Sequence, residues 1–262
     1  MKLESFGKVS APVIVMLPGS FCPGEAMEYL YLLLQEEYRI YTVTYNGHHE
    51  GSKPFTTREQ EAGEILQKLK EEGVSRIAMV YGQSMGAEVG VELIRQLGNT
   101  GITYGCAFFD GAPMIRLSAA YKAFMRMKFG VMLRLIRKGS IDRMLNMGIV
   151  KSMTAGDGDC LRRTIAGMQP TVQCLSKQSL ANVVECCYTF DFPLAGQPEN
   201  SRWYFLYAKE EKACKTCLKL VQRAYPAAVF NVLEGYGHLT YSLRRTEEYA
   251  LLLKDWLTRH NV

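Results

Sequence analysis

"VYGQSMGAEVG", residues 80–90, sets a serine between two glycines, directly after an apolar run and directly before a helical pattern. A G-x-S-x-G string is weak by itself, because glycine and serine are common; its meaning depends on a strand before it and a helix after it. Both are present. Residues 76–81, "RIAMVY", read as a strand, and residues 87–97 carry Val89, Val91, Leu93, Ile94 and Leu97 as the apolar positions of a helix. In that setting the glycines have a physical task. A sharp strand-to-helix turn holds Ser84 in a strained backbone conformation, and residues without a Cβ let neighbouring chain pass closely. Ser84 is therefore the candidate nucleophile.

A nucleophilic serine needs a base, since the free hydroxyl attacks poorly near neutral pH. The chain has four histidines. His260 stands two residues from the end, and His48 and His49 sit in a loop after the second strand. His238, in "LEGYGHLTYSL", follows a strand and a Gly-Tyr-Gly turn that can present its ring at the edge of a sheet, which makes it the candidate base by elimination and by position. The base in turn needs an acid to fix its tautomer. Glu210 and Glu211 in "AKEEKACK" and Asp110 at the end of "CAFFD" all lie at strand ends, and spacing does not separate the three.

Working outward, β-branched and aromatic runs recur at 12–17, 39–45, 76–81, 103–109, 202–208 and 227–233, with helical patterns at about 26–37, 58–72, 84–97, 212–224 and 241–259. This alternation predicts an α/β chain: βαβ units forming a mostly parallel, doubly wound sheet. Its 262 residues suit one large domain with an insertion. The insertion is residues 112–200, a helical cap, with 1–111 and 201–262 as the core. Tyr121, Phe124, Met125, Phe129, Met132, Leu133 and Ile136 follow the spacing of one helix face. Seven of the 13 methionines fall between Met114 and Met153, a pliable apolar surface.

Composition excludes several classes. With 48% hydrophobic and 22% charged residues the chain is neither disordered nor fibrous. The short apolar run Val13 to Leu17 is neither a signal peptide nor a membrane span, so a soluble, cytoplasmic protein is expected. Eight cysteines without a secretory signal point to reduced thiols, and the lone Cys214-x-x-Cys217 has no second half to make a metal site. Charge is uneven. Residues 114–150 hold eight basic residues against Asp142 alone, in a chain of net charge +5, which marks the insertion as a basic surface rather than the whole chain as a nucleic-acid binder.

The order of these parts resembles the α/β-hydrolase superfamily over essentially the whole chain. "VIVMLPGS" is similar to its first core strand and oxyanion loop, "TYNGHHEGSKP" to its Asp-x-x-Gly-His-Gly-x-Ser stretch, "GQSMG" to its nucleophile elbow and "YGHLTYS" to the loop of its catalytic histidine. The family's Gly-x-x-Asp corresponds to Ala208–Glu211, which favours Glu211 as the acid. Two departures stand out: Pro18 where His is usual, and Glu where Asp is commoner. The resemblance implies a Ser84–His238–Glu211 triad, with the Met85 N–H and that of Ser20 or Phe21 holding an oxyanion. It implies hydrolysis of a carboxylic ester without metal or cofactor, on a small molecule whose apolar acyl group meets Tyr121, Phe124 and Phe129 of the cap. An acyl thioesterase or acyltransferase with the same triad is the alternative, and a non-catalytic ligand receptor on this scaffold is the reading from another class. The basic cap also suggests contact with an acidic membrane surface, without stable insertion and without nucleic acid as a partner.

Overall fold

In the computed structural model, residues 1–140, 143–144, 154–192 and 201–260 are described. Strands buried on both faces read as continuous apolar runs, and the chain supplies them: every residue of β2 (Val13–Leu17) and β6 (Trp203–Ala208) is buried, as are all but the first of β4 (Arg76–Gln83) and β5 (Thr103–Asp110). With β1 (Lys2–Phe6), β3 (Arg39–Thr44) and β7 (Val229–Leu233) they form one seven-stranded sheet in the order β1-β3-β2-β4-β5-β6-β7. Only β1 runs antiparallel, paired with β3 from Lys2 opposite Thr44 to Phe6 opposite Ile40; the other pairs are parallel.

Alternation along each strand sends neighbours to opposite layers. Val15, Val80, Ala107 and Phe109 face one core with α2 (Arg58–Glu71), α3 (Met85–Leu97) and α7 (Lys212–Ala224). Met16, Met79, Tyr81 and Phe108 face the other, closed by α1 (Glu28–Tyr31) and α9 (Thr246–Arg259). The inserted helices α4 (Ala119–Arg137), α5 (Gly158–Cys174) and α6 (Lys177–Tyr188) join the first core, through Leu133, Ile136, Ile165, Val172 and Val183. Their starts are written in the sequence: Ser118, Asp157 and Ser176 each accept from the N–H three residues on, satisfying a donor the helix leaves free. Arg58, at the first turn of α2, fastens the insert by donating to the Cys186 carbonyl at 3.1 Å and the Thr189 carbonyl at 2.7 Å.

Three expectations shift. Residues 2–6 form an edge strand that the search for apolar runs passes over, since Lys2 and Glu4 break its pattern. The helix expected at 26–37 is a 3-10 turn at Gly24–Met27, then one turn of α1, then mixed turns such as Leu33 N–H to Leu30 and Tyr38 N–H to Leu34. The Gln35 and Tyr38 carbonyls press on the backbone at Gly7, 2.6 and 2.3 Å from where a Cβ would stand, so this segment is shaped by contact with the β1–β2 turn. The terminal helix breaks at Arg245 (φ −124°, ψ 50°) into α8 (Thr240–Arg244) and α9.

One contact between elements governs where the rest can go. α3 begins against the end of β2, so closely that a Cβ on Gly86 would stand 2.1 Å from the Leu17 carbonyl oxygen. Gly86→Ala is expected to cost roughly 3 kcal/mol or more in urea denaturation, because backbone rather than a side chain must move. Gly98→Ala, at the C-terminal end of the same helix with ordinary φ (−55°) and its nearest neighbour 3.5 Å away, is expected to stay within about 0.5 kcal/mol of wild type.

Candidate active site

Between β4 and α3 stands Ser84, at φ 51° and ψ −121°, a region that a residue with a side chain occupies at a cost of order 1–3 kcal/mol. The turn is held on three sides. Gly82 lies under the first turn of α3, where a Cβ would meet the Gly86 carbonyl at 2.5 Å, Gly86 abuts β2, and the Ser84 N–H donates to the Asp110 carbonyl at 2.8 Å. Ser84 keeps part of its surface in solvent while its neighbours Gln83 and Met85 are buried. As the first residue of α3, Met85 has an N–H without an intrahelical acceptor, at the positive end of the helix.

The loop leaving β2 passes beside it. A Cβ on Gly19 would lie 3.3 Å from Ser84 Cβ, and the Cys22 N–H closes a tight turn on the Gly19 carbonyl at 3.2 Å. Phe21 sits in that turn at φ +65°, another strained residue, and Tyr45 donates from its hydroxyl to the Pro18 carbonyl at 3.3 Å. Both candidate oxyanion positions meet the inserted helices: Ser20 Oγ lies 3.4 Å from Cys187 Sγ on α6, and the Phe21 ring meets Phe129 of α4 edge-on at 5.5 Å.

His238 and Glu211 come together at the far side. Glu211 is 1% exposed; its Oε1 accepts from the Ala208 N–H at 2.9 Å and its Oε2 faces His238 Nδ1 at 2.5 Å. A neutral His238 that donates from Nδ1 to this carboxyl group keeps the Nε2 lone pair free. Burial works to lower the His238 pKa, but the hydrogen bond and charge of Glu211, with the charge of Asp110, outweigh it and hold the imidazole above its ordinary value. Glu210 is exposed and pairs with Lys215 at 3.6 Å. Asp110 is buried and accepts from the Tyr249 hydroxyl at 2.8 Å; burial, then the charge of Glu211, push its carboxyl up to about 7. Of the three acids left open by spacing, the structure brings Glu211 to the histidine.

Gly111, at φ +62°, joins the halves. A Cβ there would strike His238 Cε1 at 2.6 Å and Glu211 Oε2 at 3.0 Å, while the preceding Asp110 carbonyl holds Ser84. Among the described residues Ser84 Oγ makes no hydrogen bond to His238.

No protein-family model matches the chain, and no curated protein matches it. Solved structures do. An α/β-hydrolase family protein from Desulfitobacterium hafniense superposes with a TM-score of 0.72 at 17% identity, over 98% of this chain and 100% of that one. MenH from S. aureus gives 0.75 at 12% identity, over 99% of each chain. A thermophilic esterase from Thermogutta terrifontis gives 0.73 at 16% identity, over 100% of this chain and 94% of that one. The chain has the α/β-hydrolase fold.

Within this hydrolase fold the remaining candidates divide. Phe129 reaches the loop beside Ser84, but Phe124 does not: it is 49% exposed on the outer side of α4, and Tyr121, 37% exposed, stacks edge-on against it and accepts from Lys212 Nζ. The reason is angular. Met125, Phe129, Leu133 and Ile136 define the inward face, and Phe124, one residue before Met125, is turned about 100° away. His48 is buried between Tyr45 and Phe55, and burial lowers its pKa to about 4, so it is a neutral core residue; His260 packs on Trp256 at the end of α9. Cys214 and Cys217 are free thiols on α7, and among the described residues no cluster of His, Cys, Asp or Glu suits a metal.

Sequence reasoning passed over Gly111, whose Asp-Gly dipeptide was a visible signal. It also passed over the buried chain Asp110–Tyr249–Tyr81–Gln83, with Tyr249 and Tyr81 hydroxyls 3.0 Å apart and Gln83 Nε2 donating to Tyr81 at 2.7 Å, for which no local pattern exists. NMR titration of His238 is expected to give a pKa above 6.5 in the wild type and a lower one in Glu211→Gln, because the substitution removes the charge of Glu211 and its charge-assisted hydrogen bond, the two largest effects that raise it, and leaves only the charge of Asp110 to oppose burial. An unchanged value would mean that Glu211 is not its partner.

Proposed function

We propose that this chain is a serine hydrolase that cleaves carboxylic esters through an acyl-enzyme on Ser84. The observation that carries the reading is the Glu211–His238 pair, 2.5 Å apart, on the loops after β6 and β7 of the same parallel sheet whose β4 presents a strained Ser84. Reacting groups gather outside the carboxyl ends of parallel strands. In this reading His238 Nε2 takes the Ser84 proton as Oγ attacks the ester carbonyl. The developing oxyanion is met by the Met85 N–H and by that of Ser20 or Phe21, each such donor being worth about 10² to 10³ in turnover. The imidazolium then protonates the departing alcohol, and water repeats the steps to release the acid. The gap between Ser84 and His238 closes when substrate binds, as hydrogen bonds of unliganded sites commonly do.

Phe21 and Phe129 give the acyl side an apolar wall. Esterase is the named activity of the similar protein from Thermogutta terrifontis. The wild type is expected to hydrolyse short p-nitrophenyl esters and to label with a fluorophosphonate, and Ser84→Ala to lose both. A folded wild type that fails to label removes the hydrolase reading in favour of a receptor. Turnover of acyl thioesters well above that of the matched oxygen esters makes it a thioesterase instead.

The two buried acids give a separate test. Glu211→Gln is expected to cost about 10⁴ in kcat, since the imidazole loses the group that orients it. Asp110→Asn keeps an acceptor for Tyr249 and is expected to stay within about tenfold of wild type. The reverse ranking would move the triad acid to β5.

A further inference from the structure

The outer face of α4 is apolar and exposed, and it is framed by cations that pair with no acid among the described residues. Phe124 (49% exposed), Met127 (62%) and Val131 (44%) recur at i, i+3 and i+7, with Ala120 and Ala123 exposed beside them. At 100° per residue the three large side chains fall within about 60° of helix surface. Lys128 and Arg134 flank that sector, and Lys138, one residue past the end of α4, lies on its line. None of these three cations pairs with an acid among the described residues, whereas Lys122 and Arg126 share Glu185 on α6 and Arg137 donates to the Val172 and Leu175 carbonyls. The inner face of the same helix is already used, by Met125, Leu133 and Ile136 in the core and by Phe129 against Phe21. So the outer stripe is surplus to folding, and an apolar stripe with a basic frame is the pattern of a helix lying in the plane of a lipid headgroup layer.

We propose that α4 docks the protein, lying flat, on the surface of an anionic phospholipid bilayer. Phe124, Met127 and Val131 enter the boundary between headgroups and acyl chains, and Lys128, Arg134 and Lys138 meet the lipid phosphates and carboxylates. Two other occupants fit less well. Two copies meeting through this face would bring Lys128, Arg134 and Lys138 of one against those of the other, and a nucleic acid offers nothing to cover Met127 and Val131. No helix among the described residues is long and apolar enough to cross a membrane, so the contact is peripheral. The proposal stands apart from the reading of Ser84, because binding is measured without turnover.

Co-sedimentation of the full chain with phosphatidylcholine vesicles, with and without phosphatidylserine, tests it. Binding to the anionic vesicles is expected, weakening as salt rises. Arg134→Gln with Lys138→Gln is expected to lower the partition coefficient roughly 25-fold, each cation near an anionic surface contributing about fivefold. Met127→Ser with Val131→Ser removes the apolar part and is expected to lower it roughly tenfold or more with circular dichroism unchanged. Equal partition to both vesicle types, or wild-type binding by both double variants, overturns the proposal. So does a dimer in light scattering that Met127→Ser with Val131→Ser dissolves, which would assign the stripe to a second copy.

Discussion

Everything at the candidate site depends on how closely α3 is brought to the end of β2. With the Leu17 carbonyl standing 2.1 Å from a would-be Cβ at Gly86, and the Gly86 carbonyl 2.5 Å from one at Gly82, the chain has no room for an ordinary strand-to-helix connection. It turns instead through a single residue, and that residue is Ser84 at φ 51°. The strain is maintained from outside the turn, by the sheet packing of β2, β4 and β5 and by the hydrogen bond from the Ser84 N–H to Asp110. A residue in so sparsely populated a conformation persists only where its surroundings over-determine it.

The same economy recurs around the site. Of the five non-glycine residues at positive φ among the described residues, Phe21, Ser84 and Leu239 lie in the loop after β2, between β4 and α3, and immediately after His238. Each is a place where the backbone turns sharply at the carboxyl edge of the sheet. Gly111 does this without a Cβ, because the imidazole and the Glu211 carboxylate already fill the space one would occupy. The inserted helices meet the loop after β2 through two contacts of modest size, Ser20 with Cys187 and Phe21 with Phe129. Insert and oxyanion loop are therefore joined at the candidate oxyanion donors Ser20 and Phe21 themselves.

Much of this was legible in the sequence for a physical reason: a doubly buried parallel strand must be apolar throughout, and a strand-to-helix turn this tight must be glycine-flanked. Runs such as "PVIVML" and the string "GQSMG" carry those requirements locally. Glu211 was legible only through the order of parts in a family resemblance, since spacing alone left Glu210 and Asp110 beside it. What failed was whatever depends on small angles or on distant partners. β1 is held by pairing with β3 rather than by its own composition, and its alternating Lys2 and Glu4 conceal it. Phe124 and Met125 differ by one position and about 100° of helix. A stripe of aromatic and apolar letters therefore looked like one face when it was two, one for the core and one for solvent.

The two buried carboxyls near His238 show how environment, more than residue type, divides the work. Both lie at strand ends, both are almost wholly removed from water, and both bear on the same imidazole. Glu211 has an N–H at one oxygen and the imidazole at the other, so its charge is met by two donors at fixed positions. Asp110 has one hydroxyl donor, Tyr249, and sits within reach of the Glu211 charge; burial first and that charge second drive its carboxyl toward the neutral form. Two adjacent carboxylates cannot both stay ionised cheaply in a dry site, and Asp110 is the one driven toward its neutral form. The longer reach of Glu211 is consistent with that division: its extra methylene lets one oxygen return to the Ala208 N–H while the other meets His238, an anchorage that ties the orientation of the imidazole to the backbone at the end of β6.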